Sequence, residues 1–300
     1  MTPASFLDRA EGALLGLAIG DALGTTLEFS ARDSRPPVTD LVGGGPFALP
    51  AGAWTDDTSM ALCLAESLNQ RKQFDPADCM NRFVNWWRHG YMSATGECFD
   101  IGVTTQQALV RYESSGDPYS GSTDPLSAGN GSLMRLAPAV IAAKADRARA
   151  IADAADQSRL THGAEEAVWA CRYFADLLHE AIAGASKHAV LAPRILPTEV
   201  PAKIRNIAAT DWRPVTRAAI SSSGYVIDTL SAALWAASTT GSFEEAVLLA
   251  VNLGDDADTV GAVTGQLAGA IHGRSAIPPV WLDKLLWGER IAELARQLCA

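Results

Sequence analysis

Clustered lysine and arginine are missing from this chain. Its 24 basic residues are scattered among 34 acidic ones, and the formal net charge is −10. Binding DNA or RNA through phosphate neutralisation needs a basic stripe, so nucleic acid is set aside as a partner. A nucleotide-like small ligand remains open, because helix N-termini and backbone N–H groups hold phosphates without lysine. The acidic excess also suits a protein that carries divalent cations, which would offset part of it.

Cysteine is sparse. The five residues, Cys63, Cys79, Cys98, Cys171 and Cys299, are odd in number and widely spaced, with no CxxC pair. That pattern points to a reducing compartment. The opening MTPASFLDRAEG lacks a basic stretch followed by an apolar one, so no signal peptide is read. No uncharged apolar run reaches the roughly 18 residues of a membrane span. We expect a cytoplasmic protein without membrane attachment and, lacking a long heptad run, a monomer. Period-2 segments rich in Val, Ile and Thr are nearly absent too, which argues against a sheet.

What is present is helical periodicity. Leu7, Ala10, Leu14 and Leu17 recur at three- and four-residue steps, as do Ala61, Leu64, Ala65 and Leu68. Similar patterns run through 76–89, 100–114, 131–144, 147–158, 163–183, 225–239, 243–252, 258–272 and 280–298. The expected fold is all-α, in one domain spanning 1–300. A compact chain of this length buries roughly 75% of its unfolded surface, enough for a core without staples. Gly- and Pro-bearing breaks fall at 30–54, 115–130, 184–200 and 210–223. The first is long enough to be an active-site loop, or else a variable surface loop.

Two oxygen-rich clusters stand far apart in the chain. Trp54-Thr55-Asp56-Asp57-Thr58 precedes a predicted helix 58–69, and Gly254-Asp255-Asp256-Ala257-Asp258-Thr259 precedes a predicted helix 260–272. Helix capping accounts for one Thr or Asp at each start, but not for carboxylates in succession. Carboxylates with hydroxyls, without His or Cys, are the ligand set of hard cations such as Mg²⁺, Mn²⁺ or Ca²⁺. If the clusters converge, each close carboxylate pair costs on the order of 4 kcal/mol at an effective dielectric of 20. Several such pairs would rival the roughly 5–15 kcal/mol stability of a domain, so cations or protons must relieve them. An EF-hand is excluded, since its loop needs Gly at position 6 and Glu at 12. Gly261, Gly265, Gly269 and Gly273 then recur every four residues, which predicts a helix packed at close range.

With these motifs in view the sequence resembles the ADP-ribosylglycohydrolase family, and within it the bacterial glycohydrolases that reactivate ADP-ribosylated dinitrogenase reductase. The resemblance runs through GALLGLAIGDALGTTLEF (12–29), WTDDTSMAL (54–62), GNGSLMRLAP (129–138), THG (161–163), SGYVIDTL (223–230) and GDDADTVGAVTGQLAGAIHG (254–273). It implies an all-α bundle around a dinuclear magnesium or manganese centre. The implied metal ligands are Thr55, Asp56, Asp57, Asp256, Asp258 and Thr259. Where the family often has Gly-Gly-Asp, this chain has Gly254-Asp255-Asp256. Asp256 is therefore aligned as the first ligand of that motif, with Asp255 as a neighbour.

The same resemblance implies further roles. Glu28 matches the glutamate near the substrate ribose and metals, with a surface carboxylate as the alternative. Asp100 matches an acidic residue beside the centre, with a helix N-cap as the alternative. Asn130, Gly131 and Ser132 match a loop against the ADP-ribose. His162 matches a ligand-side histidine, or else a satisfied structural one. Tyr225 would pack on the adenine or its ribose, or else fill the core. The implied activity is hydrolysis of the bond at the distal ribose of an ADP-ribosylated protein, most naturally one modified on arginine. Asp56, Asp57, Asp256, Glu28 and Asp100 are the candidates for catalysis. Serine, a nucleic-acid base or O-acetyl-ADP-ribose remain open as acceptors. An isoprenoid synthase also uses two Asp-rich motifs, but Asp56-Asp57 is followed by Thr58, Ser59 and Met60 rather than by its Asp-Asp-x-x-Asp pattern. A catalytically silent ADP-ribose binder is the alternative within the family.

Overall fold

A computed structural model describes residues 5–300, and among them there are fourteen α-helices and no strand. The first half holds α1 (Phe6–Gly24), α2 (Asp56–Arg71), α3 (Pro76–His89), α4 (Val103–Ser115), α5 (Ala137–Ala143), α6 (Arg147–Arg159) and α7 (Glu165–Ile182). The second holds α8 (Lys187–Val190), α9 (Ala202–Ala209), α10 (Val226–Thr239), α11 (Phe243–Val251), α12 (Ala257–His272), α13 (Pro279–Lys284) and α14 (Gly288–Cys299). The all-α expectation holds.

Two helices are buried on every side. α1 is buried from Ala10 to Gly24, and α12 from Ala257 to Ile271. A helix that is apolar all round belongs at a core centre, and these two lie against each other there. Glycine is what lets them touch. A Cβ placed on Gly16 would stand 2.2 Å from the Gly265 carbonyl oxygen, and one on Gly20 2.0 Å from that of Gly261. The same holds for Gly12 against Gly269, so the helices run antiparallel with their backbones in contact. The close packing expected for Gly261, Gly265 and Gly269 is present. Gly273 differs: it ends α12 with φ +84°, yet its carbonyl carbon still lies 2.8 Å from where a Cβ on Gly12 would stand.

This pairing has a consequence for chemistry. It brings the C-terminal end of α1 against the N-terminal end of α12, so that a Cβ on Gly24 would meet the Asp258 Cα at 2.4 Å. Both the chain that continues to Glu28 and the chain that carries Asp256 and Asp258 leave the core at one place. α7, α10 and α11 pack around α12, while α2 and α14 pack on α1.

Several expected helices differ in extent. α2 begins at Asp56 and α12 at Ala257, earlier than the expected 58 and 260, so Asp56, Asp57, Asp258 and Thr259 lie inside their helices rather than before them. The 131–144 pattern yields a helix only from Ala137, because residues 131–136 form turns whose backbone is held by a side chain. Gln266 donates to the carbonyls of Leu133 (3.2 Å) and Met134 (2.8 Å) and accepts from Ala137 N–H (2.8 Å). The 280–298 pattern breaks at Leu285–Trp287, where Trp287 adopts φ +58° and packs edge-on against Trp54 at 5.3 Å. The Trp54 indole N–H also donates to Leu286 O (3.1 Å), which fastens the approach to α2. The 100–114 pattern starts three residues late, at Val103, and Asp100 lies in the preceding loop at φ +57°. Helices α8 and α9 have no counterpart among the expected elements, and α8 lies within the expected break 184–200.

The long 30–54 stretch is pinned to the core. Asn252 bonds both the N–H (2.8 Å) and the carbonyl (2.9 Å) of Val38. Arg32 donates to the carbonyls of Leu253, Arg217 and Ile220.

Candidate active site

The N-terminus of α2 is capped from another helix. Thr55 and Asp256 occupy the N-cap positions of α2 and α12, yet neither side chain makes the usual capping bond. Asp21, on α1, does the work for α2. It is fully buried and accepts the N–H groups of Thr55 (2.9 Å) and Thr58 (3.0 Å), together with the hydroxyls of Thr55 (2.9 Å) and Thr58 (2.6 Å). Capping by Asp21 frees the carboxylates of Asp56 and Asp57 for another task.

The two motifs converge. The Thr55 hydroxyl lies 3.4 Å from both Asp57 Oδ2 and Asp258 Oδ2, and the Thr259 hydroxyl 3.4 Å from Asp57 Oδ2. Glu28 Oε2 accepts the Asp258 N–H at 3.4 Å. Glu28, Asp256 and Asp258 each present an oxygen within 4.8 Å of the others. Asn130 donates to Asp256 Oδ2 (2.7 Å) and to the Thr229 hydroxyl (2.8 Å), which fixes one side of that carboxylate. Asp56 and Asp100 line the same cavity, of about 750 Å³, with Glu28, Asp256, Asp258 and Thr259.

Backbone hydrogen bonds hold a strained junction. Phe29 and Asp255 both sit at positive φ, 58° and 57°. Phe29 N–H donates to Asp255 O (2.8 Å) and Asp255 N–H to Ser30 O (2.8 Å). The two loops are thereby clipped together; Glu28 is buried, while Asp255 is exposed at the cavity's edge, with its Oδ2 3.4 Å from the Ser222 hydroxyl.

These carboxyls raise one another's pKa. Burial, then the charges of Asp100 and Asp258, drive Asp56 well above the usual carboxylate range; burial, then Asp21 and Asp258, do the same to Asp57. Burial and the Asp258 charge push Glu28 up as well. Asp100 is pushed up to about 8 and Asp256 to about 7, again by burial and then by Asp258. Asp57 Oδ1 is buried without a hydrogen-bond partner in the protein. An oxygen-only donor set, mutual repulsion and an orphaned buried oxygen together fit hard divalent cations.

The remaining expected residues divide. Asn130, Gly131 and His162 line the cavity. Ser132 is fully buried behind that wall, with its hydroxyl on those of Ser158 (2.8 Å) and on Cys171 Sγ (3.4 Å). The Tyr225 ring does not line the cavity; its hydroxyl bonds Glu166 and receives Lys203 Nζ at 2.7 Å. The backbone beside Tyr225 contributes instead, since Asn130 N–H donates to Gly224 O (3.2 Å). Asp21 had no assigned role in the sequence reading. The signal for it was one acidic residue inside an otherwise apolar helical stretch.

Comparison with known proteins agrees with this architecture. The family profile described as ADP-ribosylglycohydrolase matches residues 2–300. The chain is 50% identical over 298 residues to ADP-ribosylarginine hydrolase Tri1 of Pseudomonas putida (strain GB-1), covering 99% of this chain and 80% of that one. It is 34% identical over 292 residues to the ADP-ribosyl-[dinitrogen reductase] glycohydrolase of Rhodospirillum rubrum, covering 95% and 92%. A solved structure, an ADP-ribosylglycohydrolase-related protein complex, superposes with a TM-score of 0.88 at 45% identity, covering 98% of each chain. The chain belongs to the ADP-ribosylglycohydrolase family and is a glycohydrolase.

Proposed function

We propose that this protein removes ADP-ribose from arginine on a modified protein, using two divalent cations, Mg²⁺ or Mn²⁺, in the acidic cleft. The reading covers residues 1–300 as one such domain, acting as a monomer in the cytoplasm. The observation that carries it is the chain of 3.4 Å approaches that links Asp258 to Thr55, Thr55 to Asp57 and Asp57 to Thr259, across motifs about two hundred residues apart. The arginine linkage is supported by the similarity to the arginine hydrolase. A reducing compartment is supported by five cysteines that are all free.

Thr55, Asp56, Asp57, Asp256, Asp258 and Thr259 would hold the cations. What two hard cations supply when held there is charge neutralisation, orientation of the ribose hydroxyls and acidification of a water. The chain's own groups do the rest. The Thr55 hydroxyl donates a hydrogen bond to Asp21 and so presents its lone pairs to the cluster. Asn130 keeps Asp256 in one orientation. Asp56, Asp57 or Asp256 accepts a proton as water adds to C1″ of the distal ribose. The C1″–N bond breaks, and the guanidino nitrogen leaves with a proton. Glu28 and Asp100, at the cavity wall, position the ribose.

The linkage is tested with a panel of conjugates carrying ADP-ribose on arginine, on serine and on a nucleic-acid base. Turnover of the arginine conjugate at least about tenfold above the others is expected; preference for another conjugate rejects the assignment.

A further inference from the structure

Arg135 is the buried Arg or Lys among the described residues, and it takes no part in the chemistry above. It is fully buried, lies over the Phe83 ring at 4.6 Å, and donates to Gln157 Oε1 (2.9 Å) and Gln157 O (2.9 Å). Its remaining strong bond runs from Nη2 to the Thr161 hydroxyl at 2.8 Å. The same hydroxyl lies 2.8 Å from His162 Nδ1.

Donor accounting then decides which imidazole nitrogen carries the proton. A guanidinium only donates, so the Thr161 oxygen accepts from Arg135. Thr161 is buried, and His162 Nδ1 is the acceptor its own proton reaches. If Nδ1 were protonated instead, two donors would face one oxygen and the hydroxyl proton would be left without an acceptor. Nδ1 is therefore the bare nitrogen, and Nε2 holds the hydrogen. The backbone is fixed as well: His162 N–H donates to Ser158 O (2.6 Å), and the Ser158 hydroxyl to His162 O (2.8 Å). Nε2 lies at the cavity wall by Gly131, where an added Cβ would come within 3.1 Å of it.

We propose that Arg135 and Thr161 are positioning residues that hold His162 as the Nε2–H tautomer, a fixed donor to an acceptor oxygen of the bound ADP-ribose. The inference rests on the reading that this cleft takes ADP-ribose, but the tautomer itself does not. Burial, then the nearby Arg135 charge, pushes the His162 pKa down to about 3, so the ring is neutral at working pH. Burial lowers Arg135 only to about 10, so it remains a cation.

Long-range ¹H–¹⁵N spectra of the full chain report the tautomer of His162, with the signal assigned by its loss in H162Q. Wild type is expected to show a protonated Nε2 and a bare Nδ1, and T161S to keep that pattern. T161V is expected to show mixed tautomers and to weaken ADP-ribose binding by about 5- to 10-fold. A protonated Nδ1 in wild type overturns the proposal, as does T161V with an unchanged spectrum and affinity. Failure of wild type to bind ADP-ribose would reject the functional reading instead, while the spectrum still decides the tautomer.

Discussion

Asp21 on α1 holds Thr55 at the start of α2 through both its backbone N–H and its hydroxyl, each at 2.9 Å. One buried carboxylate thus caps a helix it does not belong to and sets the direction of a hydroxyl in the acidic cluster. The arrangement joins the core pairing of α1 and α12 to the geometry of the cleft.

Replacing Asp21 separates those two roles. D21N keeps the shape but supplies one accepting oxygen where four donors converge. We expect a stability loss of about 2 kcal/mol, read by denaturant unfolding. Manganese affinity, read by calorimetry, should fall about 10- to 100-fold. Unchanged affinity with lowered stability would leave Asp21 a helix cap and nothing more.

The glycine contact between α1 and α12 tolerates no methyl group. In G265A the new Cβ would stand 1.9 Å from the Gly16 carbonyl oxygen. Alanine improves helix propensity by about 1 kcal/mol, yet forcing the backbones apart costs about 3 kcal/mol or more. A net loss of at least about 2 kcal/mol is expected, with weakened metal binding, since the same contact sets Glu28 against Asp258. A G265A protein as stable as wild type contradicts the packing argument.

Removing one carboxylate from the cluster should have opposite effects with and without metal. D57N relieves repulsion from Asp21, Asp258 and Asp56, so the metal-free protein should melt at a higher temperature than metal-free wild type. The gain in melting temperature on adding manganese should be lost, and turnover should drop at least about 100-fold. A metal-free D57N less stable than wild type would show that Asp57 serves folding.

Stability of the metal-free protein should depend on pH in the direction set by raised carboxyls. Folded Asp21 and Asp256 titrate at about 7 and Asp100 at about 8, whereas unfolded carboxyls titrate near about 4. Between those values the folded state holds more protons than the unfolded state, so stability falls as pH rises. The contribution is complete below about pH 4 and is lost as pH passes through 7 to 8. Melting of EDTA-treated protein from pH 5 to 8.5 should therefore show a decline, and saturating Mg²⁺ should flatten it. A rise across that window would contradict the crowding of these carboxyls.

How much of this was legible in the sequence depended on whether the signal was local. Thr55-Asp56-Asp57 and Asp256-Ala257-Asp258-Thr259 are dense runs of oxygen donors, and their excess over what caps require is visible without coordinates. The α12 glycines were legible by their period. Gly12, Gly16, Gly20 and Gly24 carry the same period, but a one-sided reading did not pair the two stripes. Asp21 escaped because its partners, Thr55 and Thr58, are set by tertiary contact. Helix periodicity overran at 131–136, where a distant Gln266 satisfies the backbone, and at 285–287, where the Trp54–Trp287 contact breaks the helix. For Ser132 and Tyr225 the motif leaves open where the side chain points. Their neighbours Asn130, Gly131 and Gly224 line the cleft, while the Ser132 hydroxyl and the Tyr225 ring face elsewhere.

The most direct measurement is release of free ADP-ribose from an arginine-ADP-ribosylated protein with Mg²⁺, with Mn²⁺ and with excess EDTA. Release with either cation, abolished by EDTA and restored by adding the metal back, is the expected result. Equal release in all three conditions would contradict the account, because the convergence of Asp56, Asp57, Asp256 and Asp258 would then serve no cation.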